Sequence, residues 1–249
     1  MRNLKITLAY DGFDFHGWQV QPGLVTVQGL LSDALQRVTG ERVLPQGSGR
    51  TDAGVHALAQ VASCAFTSPI PVSNLVIALN DVLPAAIRVL AVEEAGAEFH
   101  ARASVKSKTY RYRIWRGAIC PPFLARYVYH HPYALDERAM EAAAAAVIGR
   151  HDFTSFAAVD PERGREGEEA CNVRSLYSSA WQREGEELVY TVRGEGFLHH
   201  MVRNLAGTFL LVGKGTMSGD LGGILQARNR SAAGPTAPPH GLYLVSVEY

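Results

Sequence analysis

Cysteine is too scarce here for a disulfide framework: Cys64, Cys120 and Cys171 are odd in number, far apart and without metal-ligand spacing. They are expected as three small buried hydrophobes in a protein of a reducing, cytoplasmic compartment. Long apolar runs are missing as well. The longest, Ala142 to Ile148, falls far short of the ~20 residues that cross a bilayer, so no membrane span is expected. Met1 to Lys5 leads into an alternating pattern and not into an apolar signal core, so no targeting segment is expected. Nor is there an excess of charge of one sign: 24 Lys and Arg balance 24 Asp and Glu over 249 residues. That balance argues against a surface coated in nucleic-acid contacts and moves the question to local patches. What the chain does have is core material. At 47% hydrophobic and 19% charged it can bury a sizeable interior and is not disordered by composition.

Leu4, Ile6 and Leu8 alternate with Lys5 and Thr7, the period-two signature of a half-buried strand that ends at Asp11-Gly12. Phe13 to Pro22 follows as a loop rich in aromatics and amides. Thr26 is placed to cap a helix whose apolar face is Val27, Leu30, Leu31, Ala34, Leu35 and Val38 and which Gly40 stops. Strands are expected near Arg42 to Gln46, at Gln60 to Phe66 and at Ile87 to Glu93, with a helix from a Ser73 cap to Leu83 between the last two. This order is that of a split β-α-β unit. A similar order recurs: a strand at Lys108 to Trp115, a helix from Asp136 to Ile148, a hairpin of Val173 to Trp181 and Glu187 to Val192, a helix at Phe197 to Val212 and a strand at Leu242 to Glu248. Two segments read as lying outside the core. Ala157 to Ala170 holds five acids and is expected to be a mobile surface loop; Ala232 to Pro239 reads as a connector.

Three stretches could carry chemistry. Gly49-Arg50-Thr51-Asp52-Ala53-Gly54-Val55-His56-Ala57 sets one carboxylate between glycines, a poor core and a good site. On its own it fits equally an Asx-turn with Asp52 bonded to its own backbone. Between Arg102 and Arg116 stand six basic residues and no acid, with Tyr110, Tyr112 and Trp115 interleaved. Cations contact phosphates while flat rings stack on unpaired bases, so RNA contact is favoured over a merely solvated strand face. The third stretch, Gly196 to Leu205, sets Val202, Leu205 and Phe209 toward a core and Arg203 near a helix start, with His199 one turn earlier. Adjacent His199 and His200 diverge on a helix and lack the i, i+4 spacing of a zinc pair, so no metal is expected. A deeply set Arg203 needs an anion, and Asp52 is the carboxylate available. Such a pair keeps Asp52 ionised and fit to be a nucleophile or base, but not a general acid.

Phe15-His16-Gly17-Trp18-Gln19-Val20-Gln21, Gly49 to Ala57, Lys108-Thr109-Tyr110-Arg111-Tyr112, Gly149-Arg150-His151-Asp152-Phe153 and His199-His200-Met201-Val202-Arg203-Asn204 resemble, in order, the successive motifs of the TruA family of tRNA pseudouridine synthases. The resemblance implies isomerisation of uridine to pseudouridine at positions 38, 39 and 40 in the tRNA anticodon stem-loop, by a homodimer with neither metal nor organic cofactor. It makes Asp52 the catalytic aspartate, Arg203 its ion-pair partner and Tyr110 the ring that stacks on the target base and can help remove the C5 proton. Arg50 would hold the flipped nucleotide; Lys108, Arg111, Arg113, His56 and His199 complete the expected RNA and substrate contacts. Flipping is required, since a stacked base cannot turn about its own glycosidic bond.

The expected architecture is α+β: two ferredoxin-like halves, 1–105 with the aspartate loop and 106–249 with the tyrosine and arginine, in a continuous, mainly antiparallel sheet with helices on one face and a central cleft. The neutral net charge and the acidic Asp160 to Glu169 segment place the RNA footprint in one groove per dimer, with that segment turned away or mobile. Two rivals share parts of this pattern. A non-catalytic RNA-binding module would not need Asp52, and a metal-dependent hydrolase would use Asp52, His56 and His199 but would lose activity to a chelator.

Overall fold

Leu4, Ile6, Leu8 and Tyr10 are buried and the residues between them half-exposed, so the alternation builds β1 (Arg2–Tyr10) in the computed structural model, which describes residues 1–159 and 171–249. Beyond β1 the first part of the chain forms α1 (Val27–Thr39), β2 (Gln46–Gly47), β3 (His56–Phe66), α2 (Val72–Val82) and β4 (Ile87–Ala95). β1 lies between β3 and β4 and pairs antiparallel with both, while β2 pairs antiparallel with β3 at Ser63 and Ala62. The order β4-β1-β3-β2, with helices on the two crossovers, is the split β-α-β arrangement. Thr26 caps α1 by accepting from Gly29 N–H, and Gly40 ends it in the left-handed region.

Two expectations shift. The strand near 42–46 shrinks to Gln46–Gly47, because Pro45 has no N–H for a ladder and its carbonyl is taken by Gln28 Nε2 from α1 at 2.9 Å. α2 starts at Val72 with Pro71 as its cap and no side-chain capping bond, so Ser73 sits inside the first turn.

The second part contains β5 (Ser107–Trp115), β6 (Tyr129–His130), α3 (Glu137–Ala145), β7 (Gly149–Asp152), β8 (Val173–Glu184), β9 (Glu187–Gly194), α4 (Met201–Gly213) and α5 (Leu221–Ala227). β5-β9-β8-β7 run antiparallel in that order, and β6 pairs parallel with β5. Tyr110, Tyr112 and Ile114 are buried on one side of β5, as the sequence alternation requires, with Arg111 exposed on the other. Their side carries the core: Tyr190 meets Trp181 at 5.1 Å and Phe209 of α4 at 5.2 Å between ring centres. Val202, Leu205 and Phe209 all point inward from α4.

α4 begins at Met201, four residues later than expected, because His200 takes a left-handed φ of 58° and turns the chain there. α3 stops at Ala145, before Ile148. β6, β7 and α5 are additions to the elements expected from sequence. Of the cysteines, Cys64 is buried, Cys120 half-exposed and Cys171 exposed, so the expectation of three buried hydrophobes holds only for Cys64, on β3.

The last strand, β10 (Leu242–Glu248), pairs parallel with β3 at His56 and Ala57. Two compact units result, Met1–Lys106 with Tyr243–Tyr249 and Ser107–Leu242; the final strand is thus grouped with the first unit. The acidic Asp160 to Glu169 segment lies outside the described residues. Among those residues no helix is long and apolar enough to cross a membrane.

Candidate active site

In the first unit, Asp52 occupies the first position of a tight turn whose Val55 N–H donates to the Asp52 carbonyl at 3.1 Å. Gly54, third in that turn, has φ 78°, a conformation that costs a glycine nothing and most other residues about 1 kcal/mol or more. The turn is therefore closed by backbone. Beneath it lies a buried polar network. Gln60, fully buried on β3, accepts from Ser48 Oγ at 2.6 Å and donates to the Gly49 carbonyl at 3.0 Å. Its amide also reaches the Tyr10 hydroxyl at 3.5 Å, and that hydroxyl lies 2.8 Å from Thr51 Oγ1. Burial pushes the Tyr10 phenol up to about 12, so it stays protonated and able to donate.

The Phe13 to Pro22 loop holds the other side of this stretch. Trp18 N–H donates to the Thr51 carbonyl at 3.0 Å, and Phe15 and Trp18 are buried. A Cβ on Gly17 would come within 2.6 Å of the Thr51 carbonyl oxygen, so only glycine lets the two loops approach this closely. Residues 48, 49 and 51 are thus gripped from below and from the side, while Asp52 is half-buried and Arg50 exposed. Tyr10, Ser48, Thr51 and Gln60 were not singled out from sequence. Their signal was faint, since a polar residue inside an apolar strand is common and nothing local tells which partner it meets.

His56 is only 2% exposed, and its ring stacks on Tyr243 at 4.8 Å while Nδ1 accepts from Gly12 N–H at 3.1 Å. It anchors the start of β3 from inside.

In the second unit, Tyr110 is 7% exposed and meets the edge of Phe197 at 5.0 Å and 77°. Arg203, half-exposed in the first turn of α4, is clamped to one residue twice: its Nε donates to the Ala237 carbonyl at 2.8 Å and its own carbonyl accepts from Ala237 N–H at 3.1 Å. Ala237 belongs to the segment that read as a plain connector. That segment is pinned instead, because fully buried Asn204 accepts from Thr236 Oγ1 at 2.6 Å and from Arg230 Nη2 at 3.0 Å while donating to the Phe156 carbonyl at 2.7 Å. Tyr112 adds a bond to the Pro238 carbonyl at 3.0 Å. Burial, helped by the Arg203 charge, holds His240 below the ordinary histidine value.

The basic strand divides by face. Arg111 is exposed, on the side away from Tyr110, and Lys108 is half-exposed on the Tyr110 side. Arg113 forms a two-bond fork with Glu187, at 2.7 and 2.6 Å, and Arg116 lies 3.6 Å from Glu137. The acids missing from residues 102–116 are supplied by neighbouring elements, which a linear reading cannot see. His199 and His200 lie with ring centres 3.9 Å apart ahead of α4, and His199 Nδ1 is 3.1 Å from the Val159 carbonyl.

The first unit thus presents a half-buried carboxylate on a braced turn, and the second a buried tyrosine ring and a clamped guanidinium. A family model described as tRNA pseudouridine synthase matches residues 6–102 and 143–249. The chain belongs to that family. It is 53% identical to the tRNA pseudouridine synthase A of Solibacter usitatus over 249 residues, covering 100% of both chains. The protein of the same name from Caldicellulosiruptor bescii is 42% identical over 100% of both, and that from Halalkalibacterium halodurans is 44% identical over 97% of this chain and 90% of its own.

Proposed function

We propose that this chain converts uridine to pseudouridine in the anticodon stem-loop of tRNA, at positions 38, 39 and 40, as a cytoplasmic homodimer that needs neither metal nor organic cofactor. The class of reaction, isomerisation of uridine in tRNA, follows from family membership. In it the N1–C1′ bond breaks, a C5–C1′ bond forms, and the proton lost from C5 is balanced by one gained at N1. The first unit supplies the carboxylate of Asp52 as nucleophile or base, whether at C1′, C6 or C2′. From the second unit come the Tyr110 ring, to stack on the flipped uracil, and the Arg203 guanidinium, to pair with Asp52. A ring as enclosed as Tyr110 suits a uracil that must be retained between detachment and reattachment.

Arg50, Lys108, Arg111 and His199 are the proposed RNA contacts. Arg113, committed to Glu187, and His56, buried against Tyr243, fit a structural role better.

The observation that carries this reading is the support of the Asp52 turn. Its flanking residues are braced by a buried network of Gln60, Tyr10, Ser48 and Thr51, more than an ordinary surface turn requires. Replacement of Asp52 by Asn tests it. Binding of an anticodon stem-loop should persist while release of the C5 hydrogen, followed with C5-tritiated uridine, stops. Tritium release at the wild-type rate would sink the proposal.

A further inference from the structure

The loop that grips the Asp52 turn carries an apolar tip that the fold leaves uncovered. From Phe15 to Ser32 the chain has no Asp, Glu, Lys or Arg. Val20, Leu24 and Val25 are 45, 42 and 53% exposed, in a stretch whose Phe15 and Trp18 are buried.

Three backbone bonds close the loop at its base: His16 N–H to the Val25 carbonyl at 2.9 Å, Val27 N–H to that of Gly17 at 3.2 Å and Gln28 N–H to that of Trp18 at 2.9 Å. At the tip, Leu24 N–H donates to the Gln21 carbonyl at 3.2 Å across Pro22 and Gly23, whose φ is 73°, the residue pattern of a type II turn. Buried Gln28 accepts from Val20 N–H and donates to the Pro45 carbonyl, each at 2.9 Å. The loop is seated directly on the turn. Gly54 N–H donates to the Phe15 carbonyl at 3.2 Å, and a Cβ on Gly17 would lie 3.1 Å from the Asp52 carbonyl carbon. Val25 therefore stands beside His16, the neighbour of the glycine that touches the Asp52 backbone.

Apolar side chains held rigidly in water add nothing to the core and lose little freedom when a partner covers them. The partner must lie next to the Asp52 turn, and the lack of acids lets a phosphate chain approach. A uridine turned out of its stack leaves a neighbouring base with a bare face, and side chains such as Leu are suited to cover an unstacked base. We infer that Leu24 and Val25 pack against the base of the nucleotide next to the flipped uridine and replace part of the stacking it loses. The inference rests on the proposed function, because it takes Asp52 to act on a flipped uridine in RNA.

The test is a double-mutant cycle between protein and RNA. The full chain and its Leu24→Ala/Val25→Ala variant are titrated, by anisotropy, with an anticodon stem-loop and with two stem-loops abasic on the 5′ or the 3′ side of the target uridine. The variant should bind the intact RNA about tenfold more weakly, the share of the apolar area removed. One of the abasic RNAs should bind variant and wild type alike. Wild-type affinity of the variant for intact RNA, or losses that simply add at both abasic positions, overturns the inference. Sedimentation runs alongside: a variant whose oligomeric state changes while the losses add would assign the tip to a second copy of this chain, which overturns it too. Should the double variant melt low, Leu24→Gln alone runs the same cycle. Tritium release from the intact RNA by the wild-type protein is followed in parallel. Its absence would defeat the proposed function, whereas its presence without coupling would defeat only this inference.

Discussion

A single hydroxyl illustrates how the candidate site is held. Tyr10 reaches Thr51, the residue before Asp52, at 2.8 Å, and its ring is 4% exposed. Removing that oxygen leaves the shape of the core intact and deprives Thr51 and Gln60 of a partner, a loss of about 1 to 3 kcal/mol in a buried setting. Tyr10→Phe should therefore lower kcat by about tenfold with little change in KM, because a displaced carboxylate loses alignment with the reacting bond and not affinity for RNA. Steady-state kinetics on a stem-loop check this; an unchanged kcat would mean that the turn needs no brace from β1. The Asp52 to Val55 turn was half legible in the sequence. Glycines flanking an aspartate announced a turn, but the bracing of the residues before it comes from Gln60 and Tyr10, which lie on two other strands.

Among the elements, the segment from Ala232 to Pro239 departs furthest from its sequence. Rich in Pro, Ala and Gly, it carries no periodicity and reads as a connector. In the folded chain it is strapped to α4 through Asn204, Thr208, Arg230 and Thr236, and it grips Arg203 through Ala237. Thr236→Val removes one hydroxyl from this strap and leaves Asn204 with its bond from Arg230. It should cost about 1 kcal/mol of stability and reduce kcat, whereas Arg230→Ala, which loosens the strap further, should reduce kcat more. Thermal melts paired with kinetics separate the two effects, and a Thr236 variant that loses stability without losing turnover would show that the strap does not orient Arg203. α1 is the opposite case: its Thr26 cap, apolar face and Gly40 stop are all local, and so all were readable.

For the molecule as a whole, the balance of charge conceals a pH liability at His131. This ring is 4% exposed, stacks on Tyr129 at 5.9 Å and meets Tyr133 edge-on. Burial first, then the charges of Lys214, Arg116 and His130, pull it down to about 4 from an ordinary 6.5. A lowered value means that the unfolded chain takes up the proton more readily than the folded one, so stability is complete above pH 6.5 and falls as pH drops toward 4. Denaturant unfolding across that window should show the loss, and His131→Gln should flatten it; a variant with the wild-type slope would place the sensitivity elsewhere.

The sequence by itself determined the α+β class, the run of strands and helices in the split β-α-β order, and, through short motifs, the family. Each is a matter of local periodicity, capping or residue identity along the chain. Only the tertiary structure decided that Arg113 is occupied by Glu187, that His56 is an interior residue and that a connector clamps Arg203. Those facts depend on strand register and on partners far away in sequence, and a one-residue change of register would have reversed every face.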